Sequence, residues 1–377
     1  ANTYIQIAKD AAKEIMDNGG FSIYSTGNIQ SDYSSLFNSQ NLTSNPEIIF
    51  ANSSEDEVKN SGWWEWMFGN YAVSPSKGLL QAYLMSDGSY YSSQVSPETN
   101  SFVEEFENRD PRLKQTYAFP GWELINTGTY AQGGGIYKQQ LQKNFTGYHQ
   151  IKGFINSTDQ TTQNGVDFPS IRFAEMLLIY AEAKAELGEL SQGDLDNSIN
   201  KLRERAGMPN LNMDPVIDPV QEARFPNVKS NSQWKEILEI RRERRIEMAL
   251  EGYRYDDLMR WEAGKILETE PRGLYFSGLG KYDMTGDGVE DIVLLDLSES
   301  IPGAGDKEVN SIGETLIYYR VGAQDSDGSF YISGDNQGYI ESVKERGNFV
   351  APKYYYRPIP QTHTTVNPNL TQIFGWE

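Results

Sequence analysis

Apolar residues recur at helical spacing in five stretches of this chain. In ANTYIQIAKDAAKEIMDNGG, the positions Tyr4, Ala8, Ala11 and Ile15 fall on one stripe. That predicts a helix over residues 1–18, stopped at Gly19 and Gly20. SIRFAEMLLIYAEAKAELGEL places Phe173, Met176, Leu177, Tyr180 and Ala181 on one face, the spacing of a half-buried helix, and Gly188 closes it. Leu195–Ala206 repeats the pattern through Ile199, Leu202 and Ala206, and ends at Gly207 and Pro209. A further helix is expected from Ser232 to Leu250, with Trp234, Ile237, Leu238, Ile246 and Ala249 inward. The last spans Asp256–Ile266, after a break at Gly252. Helix, short turn, helix within about forty residues is the unit of a TPR-like hairpin array.

Elsewhere the periodicity fails. PEIIF (Pro46–Phe50) reads as a strand and Lys77–Tyr83 as a short helix. Residues 61–165 and 270–350 are rich in Gly and polar residues and read as irregular structure. The tail carries Pro358, Pro360 and Pro368, which suits an extended segment laid over a surface. The fold expected is mainly α: a TPR-like α-α superhelix scaffold with a large irregular, loop-rich ligand-binding region and a few short strands. Four segments follow: 1–60, N-terminal helix and loop; 61–167, irregular ligand-binding region; 168–268, helical scaffold; 269–377, irregular insertion and C-terminal tail.

Composition narrows the partners. The 377 residues carry a net charge of −20, which repels phosphate backbones and argues against nucleic acid and anionic membrane surfaces. With no cysteine, disulfides, thiolate nucleophiles and Cys-ligated metals are excluded for this chain. The first residue is not Met and the chain opens one turn before a helix, so a fragment lacking its N-terminal part is expected.

Catalytic equipment is sparse. The two histidines, His149 and His363, are far apart in sequence, and no nucleophile elbow, HExxH, phosphate loop or dinucleotide fingerprint occurs. No enzymatic role is expected. One segment suggests a metal: in DMTGDGVED, Asp283, Thr285, Asp287 and Asp291 stand at positions 1, 3, 5 and 9 of a calcium-type loop, with Gly288 at the turn. Leu294 occupies the place of an EF-hand's bidentate Glu. A Ca2+ loop and a plain acidic turn between two strands are both open, and no other cofactor is implied.

EIRRERRIEMALEGYRYDDLMRW holds Arg241, Arg242, Arg244, Arg245, Arg254 and Arg260, with Glu236, Glu239, Glu243, Glu247 and Glu251 about a turn away. That spacing predicts a solvated or internally paired helix face rather than an anion site. SGWWEWMFGNY is different. Trp63 and Trp64 are adjacent and cannot both point inward in an extended segment. Exposed aromatic faces stack on sugar rings while neighbouring polar groups bond the hydroxyls. Trp63, Trp64, Trp66, Tyr71, Trp122 and Tyr130 are therefore the candidate ligand-stacking residues.

FPSIRFAEMLLIYAEAKAELGEL, INKLRERAGMP, EILEIRRERRIEMALEGYRYDDLMRW and YYYRPIPQTHTTVNPNLTQIFGW resemble, in sequence and order, blocks of the SusD/RagB family. AKDAAKEIMDNGGFSI, PSKGLLQAYLMSDG and NRDPRL agree, so the resemblance covers nearly the whole chain. It implies a cell-surface outer-membrane lipoprotein of Bacteroidetes. Such a protein captures oligo- or polysaccharide and delivers it to a SusC-like TonB-dependent transporter, without catalysis. The family's lipid anchor sits on an N-terminal Cys, so membrane attachment would lie on the part expected to be missing. The family's ligand residues vary, so the site expectation rests on the aromatic loops. Capture of peptides, as RagB-like members suggest, and a helical-repeat interaction scaffold are the alternatives.

Overall fold

A computed structural model describes every residue except 1, 56–57, 62–66, 69–72, 126–133, 158–164, 270, 374 and 377. Its helices are α1 (Asn2–Asn18), α2 (Lys77–Leu80), α3 (Pro111–Thr116), α4 (Phe173–Glu186), α5 (Gln192–Asp196), α6 (Ile199–Arg205), α7 (Pro219–Arg224), α8 (Trp234–Glu247), α9 (Arg254–Arg260) and α10 (Gln361–Val366). The fold is mainly α with short strands, as the periodicity predicts. None of the described helices is long and apolar enough to cross a membrane.

Local chemistry sets the helix ends. Ser191 and Asp194 form a reciprocal capping box at the head of α5: Asp194 N donates to Ser191 Oγ (3.3 Å), and Ser191 N to Asp194 Oδ2 (2.9 Å). Asp110 and Asp218 cap α3 and α7, each followed by Pro at the first helical position, where no N–H is needed. At the end of α4, Gly188 adopts φ +71°, and Glu189 N donates back to Lys184 O (2.9 Å).

The scaffold stacks α1 on α4, α4 on α8, and α6 on both α4 and α8. Enclosed between α1 and α8, α4 is buried nearly all round rather than half-buried, and even Glu182 is covered. Glu182 accepts from Trp261 Nε1 (2.5 Å) and is ion-paired with Arg260. On α1 the buried residue is Ala12, flanked by half-buried Ile5, Ala8, Ile15 and Met16; Tyr4 is 80% exposed and Ala11 faces solvent. The packed stripe is thus rotated from the expected one, because Ile15 and Met16 join the core around α4. The expected 195–206 helix is two pieces, α5 and α6, broken at Asn197–Ser198. The expected 256–266 helix is α9 followed by a 3-10 turn at Gly264–Glu268.

Residues 270–350 are more regular than their composition suggests. Strand β5 (Arg272–Phe276) pairs antiparallel with β10 (Gly338–Glu341). Strands β6 (Gly280–Tyr282), β7 (Ile292–Asp296), β8 (Ile317–Gly322) and β9 (Phe330–Tyr331) form a four-stranded sheet in that order, antiparallel at β6/β7 and parallel thereafter. Strand β1 (Ile48–Asn52) pairs with β4 (Phe168–Arg172), which feeds directly into α4. β2 (Glu123–Leu124) pairs with β3 (Gly135–Ile136). Leu80, Tyr83, Phe102, Leu113, Tyr117 and Tyr148 share a core with Leu274, Ile292, Tyr319 and Ile340, so parts of 61–167 and 269–377 pack together. The tail is not wholly extended: Pro360 sets the start of α10.

The arginine-rich segment departs most from expectation. Helix α8 is not a solvated face; eleven of its residues are buried, Glu239, Arg241, Arg242, Glu243, Arg244 and Glu247 among them. Its ion pairs run mostly to other elements. Arg112 Nη1 donates to Glu243 (2.6 Å) and Glu247 (2.9 Å), Arg203 Nε to Glu243 (2.9 Å), and Arg205 Nη2 to both oxygens of Glu247 (2.6 Å each). Arg172 Nη1 donates to Glu247 (2.6 Å) and to Glu47 (2.9 Å). Enclosure on several sides gives each carboxylate long-range partners that a lone helix cannot offer.

Candidate functional site

The described part of the aromatic region is built around a tight turn. Phe119, Pro120, Gly121 and Trp122 form it, with Trp122 N donating to Phe119 O (2.9 Å) and Gly121 at φ +83°. Proline then glycine at the central positions is the type II signature, and the positive φ there favours glycine. Tyr137 N donates to Trp122 O (2.9 Å), tying the turn to the next strand. This holds the Trp122 side chain half-buried. Its ring stacks on Phe68 (centroids 6.3 Å, planes 24° apart) and meets Tyr137 (5.6 Å) and Phe154 (6.4 Å) edge-on. Beneath, His149 is fully buried between Tyr137 OH, which contacts its Nδ1, and Met67 O, 2.6 Å from Nε2. Burial pushes the His149 imidazole down to about 4, so it stands neutral at pH 7.

Trp122, Phe119, Ile151 and Phe154 line one side of a cavity of about 220 Å³. Gln30, Ser34, Asn38, Lys114, Gln115 and Asn156 line the remainder. Much of this polar rim is already braced. Gln115 accepts from Ser34 N (2.9 Å) and donates to Ile29 O (3.0 Å). Asn156 accepts from Ile125 N (2.7 Å) and donates to Glu123 O (2.8 Å). Asn38 Oδ1 accepts from Gly153 N (2.9 Å). Bracing fixes the shape of the wall. Asn38 Nδ2 and the exposed side chains of Gln30 and Lys114 make no hydrogen bond to the described residues, and remain as donors for a ligand. Lys114 Nζ lies 5.2 Å from the Phe119 ring centre. At this volume, below the roughly 300–1,000 Å³ of a drug-sized pocket, the cavity suits one ring-sized group rather than a whole chain.

Of the expected stacking residues, Trp122 lines this cavity, whereas Trp63, Trp64, Trp66, Tyr71 and Tyr130 lie outside the described residues. Phe119, Phe154, Asn38, Lys114 and Asn156 went unnamed by the sequence reading. They come from α3 and from loops distant in sequence, with no shared motif; only Pro120-Gly121 beside Trp122 signals a turn there.

The candidate calcium loop is a turn closing the β6/β7 hairpin. Asp283 Oδ1 accepts from Thr285 N (2.9 Å) and Gly286 N (2.6 Å), and its Oδ2 from Gly288 N (2.8 Å). Asp287 accepts from Val289 N (2.8 Å). Asp291 is buried; Met284 N and Thr285 N donate to its Oδ2 (2.7 and 2.9 Å), and Lys138 Nζ lies 3.0 Å from Oδ1. These oxygens serve backbone N–H groups and one ammonium instead of converging on a point. Among the described residues, no group of three or more His, Cys, Asp or Glu is placed to hold a metal. The carboxylates of Asp283, Asp287 and Asp291 are engaged within the turn itself and by Lys138.

With the fold and cavity in view, residues 29–376 match the model of the SusD family. The chain belongs to that family. A SusD-like protein from Formosa agariphila is 28% identical over 203 residues, covering 49% of this chain and 36% of its own length. A SusD-like carbohydrate binding protein from Bacteroides fragilis aligns structurally with TM-score 0.63 at 25% identity, over 96% of this chain and 60% of that one. A second SusD-like protein from the same species aligns at TM-score 0.60 and 18% identity, over 98% of this chain and 63% of that one, and supports the fold. The chain thus spans between about a third and two thirds of the length of these SusD relatives.

Proposed function

We propose that this protein is a cell-surface glycan-binding receptor, which captures oligo- or polysaccharide and hands it to a SusC-like TonB-dependent transporter. Family membership supports the class of ligand, since a structural relative over nearly the whole chain is a carbohydrate binding protein. The observation that carries the site is Trp122, a half-exposed indole held by a rigid turn over a cavity with Asn38, Gln30 and Lys114 around it. An indole face takes the apolar C–H surface of a sugar ring, and the amide and ammonium donors take its hydroxyls. Trp63, Trp64, Trp66, Tyr71 and Tyr130 are proposed to extend the platform along a glycan chain. The protein binds without turnover in this reading, at the outer membrane as a lipoprotein partnered with the transporter.

Affinity electrophoresis against a panel of neutral polysaccharides tests this. At least one polysaccharide retards the protein, and Trp122→Ala weakens that retardation about tenfold, some 1.4 kcal/mol, with an unchanged circular dichroism spectrum. Trp63→Ala, Trp64→Ala and Trp66→Ala report on the remainder of the platform. Retardation by no glycan, or full retention in Trp122→Ala, removes this cavity from consideration.

A further inference from the structure

Glu243 and Glu247 share one face of α8, and Arg241 and Arg245 the opposite one, as an i, i+4 spacing two residues out of step requires. On this second face Arg244 and Arg245 meet Arg254, at the head of α9, around a cavity of about 390 Å³. The acidic residue lining it is Asp257, and that carboxylate is already engaged. Arg244 Nε donates to both its oxygens (2.8 and 2.9 Å) and Arg260 Nε to Oδ1 (2.9 Å). Arg244 is 4% exposed, yet its Nη1 is buried with no hydrogen-bond partner. Arg245 and Arg254 make no hydrogen bond or ion pair to any described residue. Gly252, at φ +93° with open space where a Cβ would stand, keeps the wall low.

Asp257 is engaged by Arg244 and Arg260, and Glu175 lies 3.7 Å from Arg244 Nη2, which leaves Arg245 and Arg254 facing the cavity, unexpected in a chain of net charge −20. A buried arginine that only braces a fold is paired, as Arg112 and Arg205 are. We propose that this cavity is an oxyanion site, receiving the carboxylate of a small acidic ligand on Arg244, Arg245 and Arg254. The planar guanidinium fork matches a carboxylate in two parallel hydrogen bonds, and the volume admits a sugar-acid-sized ring. Burial first, and then the like charges of Arg254 and Arg224, pull the Arg245 guanidinium well below its ordinary range, a strain that a bound anion relieves. This site is separate from the Trp122 cavity and stands or falls without it.

Thermal denaturation of the full chain with glucuronate, acetate, glucose or chloride at matched ionic strength is the test. Glucuronate and acetate raise Tm saturably above chloride, whereas glucose does not. Arg245→Leu and Arg254→Gln each weaken the apparent carboxylate affinity about tenfold or more, and Trp122→Ala leaves it unchanged. Two variants guard against one failing to fold. A carboxylate response no greater than chloride's overturns the proposal, as does one that survives in both arginine variants or is lost in Trp122→Ala.

Discussion

Two clusters of arginines flank α8, and they differ in how their charge is met. On the Glu243/Glu247 side, Arg112, Arg172, Arg203, Arg205 and Lys152 face Asp110, Glu47, Glu243, Glu247 and Glu251, five cations against five anions in contact. On the Arg245 side, Arg244 meets Asp257 and Glu175, while Arg245 and Arg254 line the cavity without an ion pair to the described residues. The first arrangement is closed: burial alone would raise the Glu247 carboxyl, but Arg205, Arg172 and Arg112 hold it well below the usual carboxylate range. Glu243 is lowered in the same way by Arg112 and Arg203. The second is open. Burial draws the Arg254 guanidinium down to about 10, Asp257 opposes that, and Arg224 adds to it. Arginines packed on and around one helix thus serve architecture where carboxylates surround them, and are left available where a cavity does.

The largest effect is expected in the closed cluster. Glu247→Gln leaves three buried arginines facing an amide, and removal of one partner from a buried ion network costs about 3–5 kcal/mol. Urea unfolding monitored by circular dichroism measures it. A loss under about 1 kcal/mol breaks the comparison, because the cluster would then be no more structural than the open one. Acid probes the same groups. With folded pKa values below the ordinary 4.5, Glu243 and Glu247 contribute stability that is present above pH 4.5 and lost as the pH falls through their folded values.

Lys152 sharpens the point from within that cluster. Its Nζ donates to Glu251, Tyr33 OH and Ala249 O at 2.7 Å each, and burial pulls the ammonium down to about 8 despite Glu251. Between about 8 and 10.5 the unfolded chain keeps a proton that the folded one releases, so this group's contribution rises with pH through that window. Buried tyrosines such as Tyr33 and Tyr148, held well above 10, act oppositely once unfolded tyrosines ionise. The difference between wild type and Lys152→Met isolates the lysine. From pH 8 to 9.5, wild type gains about 2 kcal/mol relative to the variant. Equal slopes would place the Lys152 pKa near its ordinary value and loosen the closed cluster at that corner.

The two clusters were unequally legible in the sequence. Helices α1, α4 and α8 follow from apolar spacing, because one covered face repeats every three to four residues. The alternation of Glu and Arg in α8 was visible, and internal pairing was expected. The partners were not, since Arg112, Arg172 and Glu47 come from α3, β4 and the turn before β1, and no local spacing encodes such approaches. The strands flanking DMTGDGVED were expected and are β6 and β7, whereas the parallel additions of β8 and β9 across long connections have no local signal. The same limit hid the Trp122 cavity, of which Trp122 alone was expected from the sequence. In DMTGDGVED, where a Ca2+ loop and a plain turn were both open, Asp283, Asp287 and Asp291 accept from the turn's own backbone N–H groups.

The smallest expected effect separates the clusters most sharply, because its sign reverses. Arg245→Leu removes a partly buried cation that leaves no carboxylate unpaired, unlike any arginine of the closed cluster. Without added anion, the desolvation penalty and the repulsion from Arg254 and Arg224 are relieved, while leucine keeps an apolar side chain on a wall that Leu79 and Met248 also line. Stability should stay level or rise by up to about 1 kcal/mol, near the range of surface substitutions. In saturating glucuronate the order inverts, because wild type alone gains the ligand's contribution. Paired urea titrations with and without glucuronate read both signs from one pair of proteins. A loss above about 2 kcal/mol without anion would mean that Arg245 is held by the fold as Arg112 is, and the distinction between closed and open clusters would fail there.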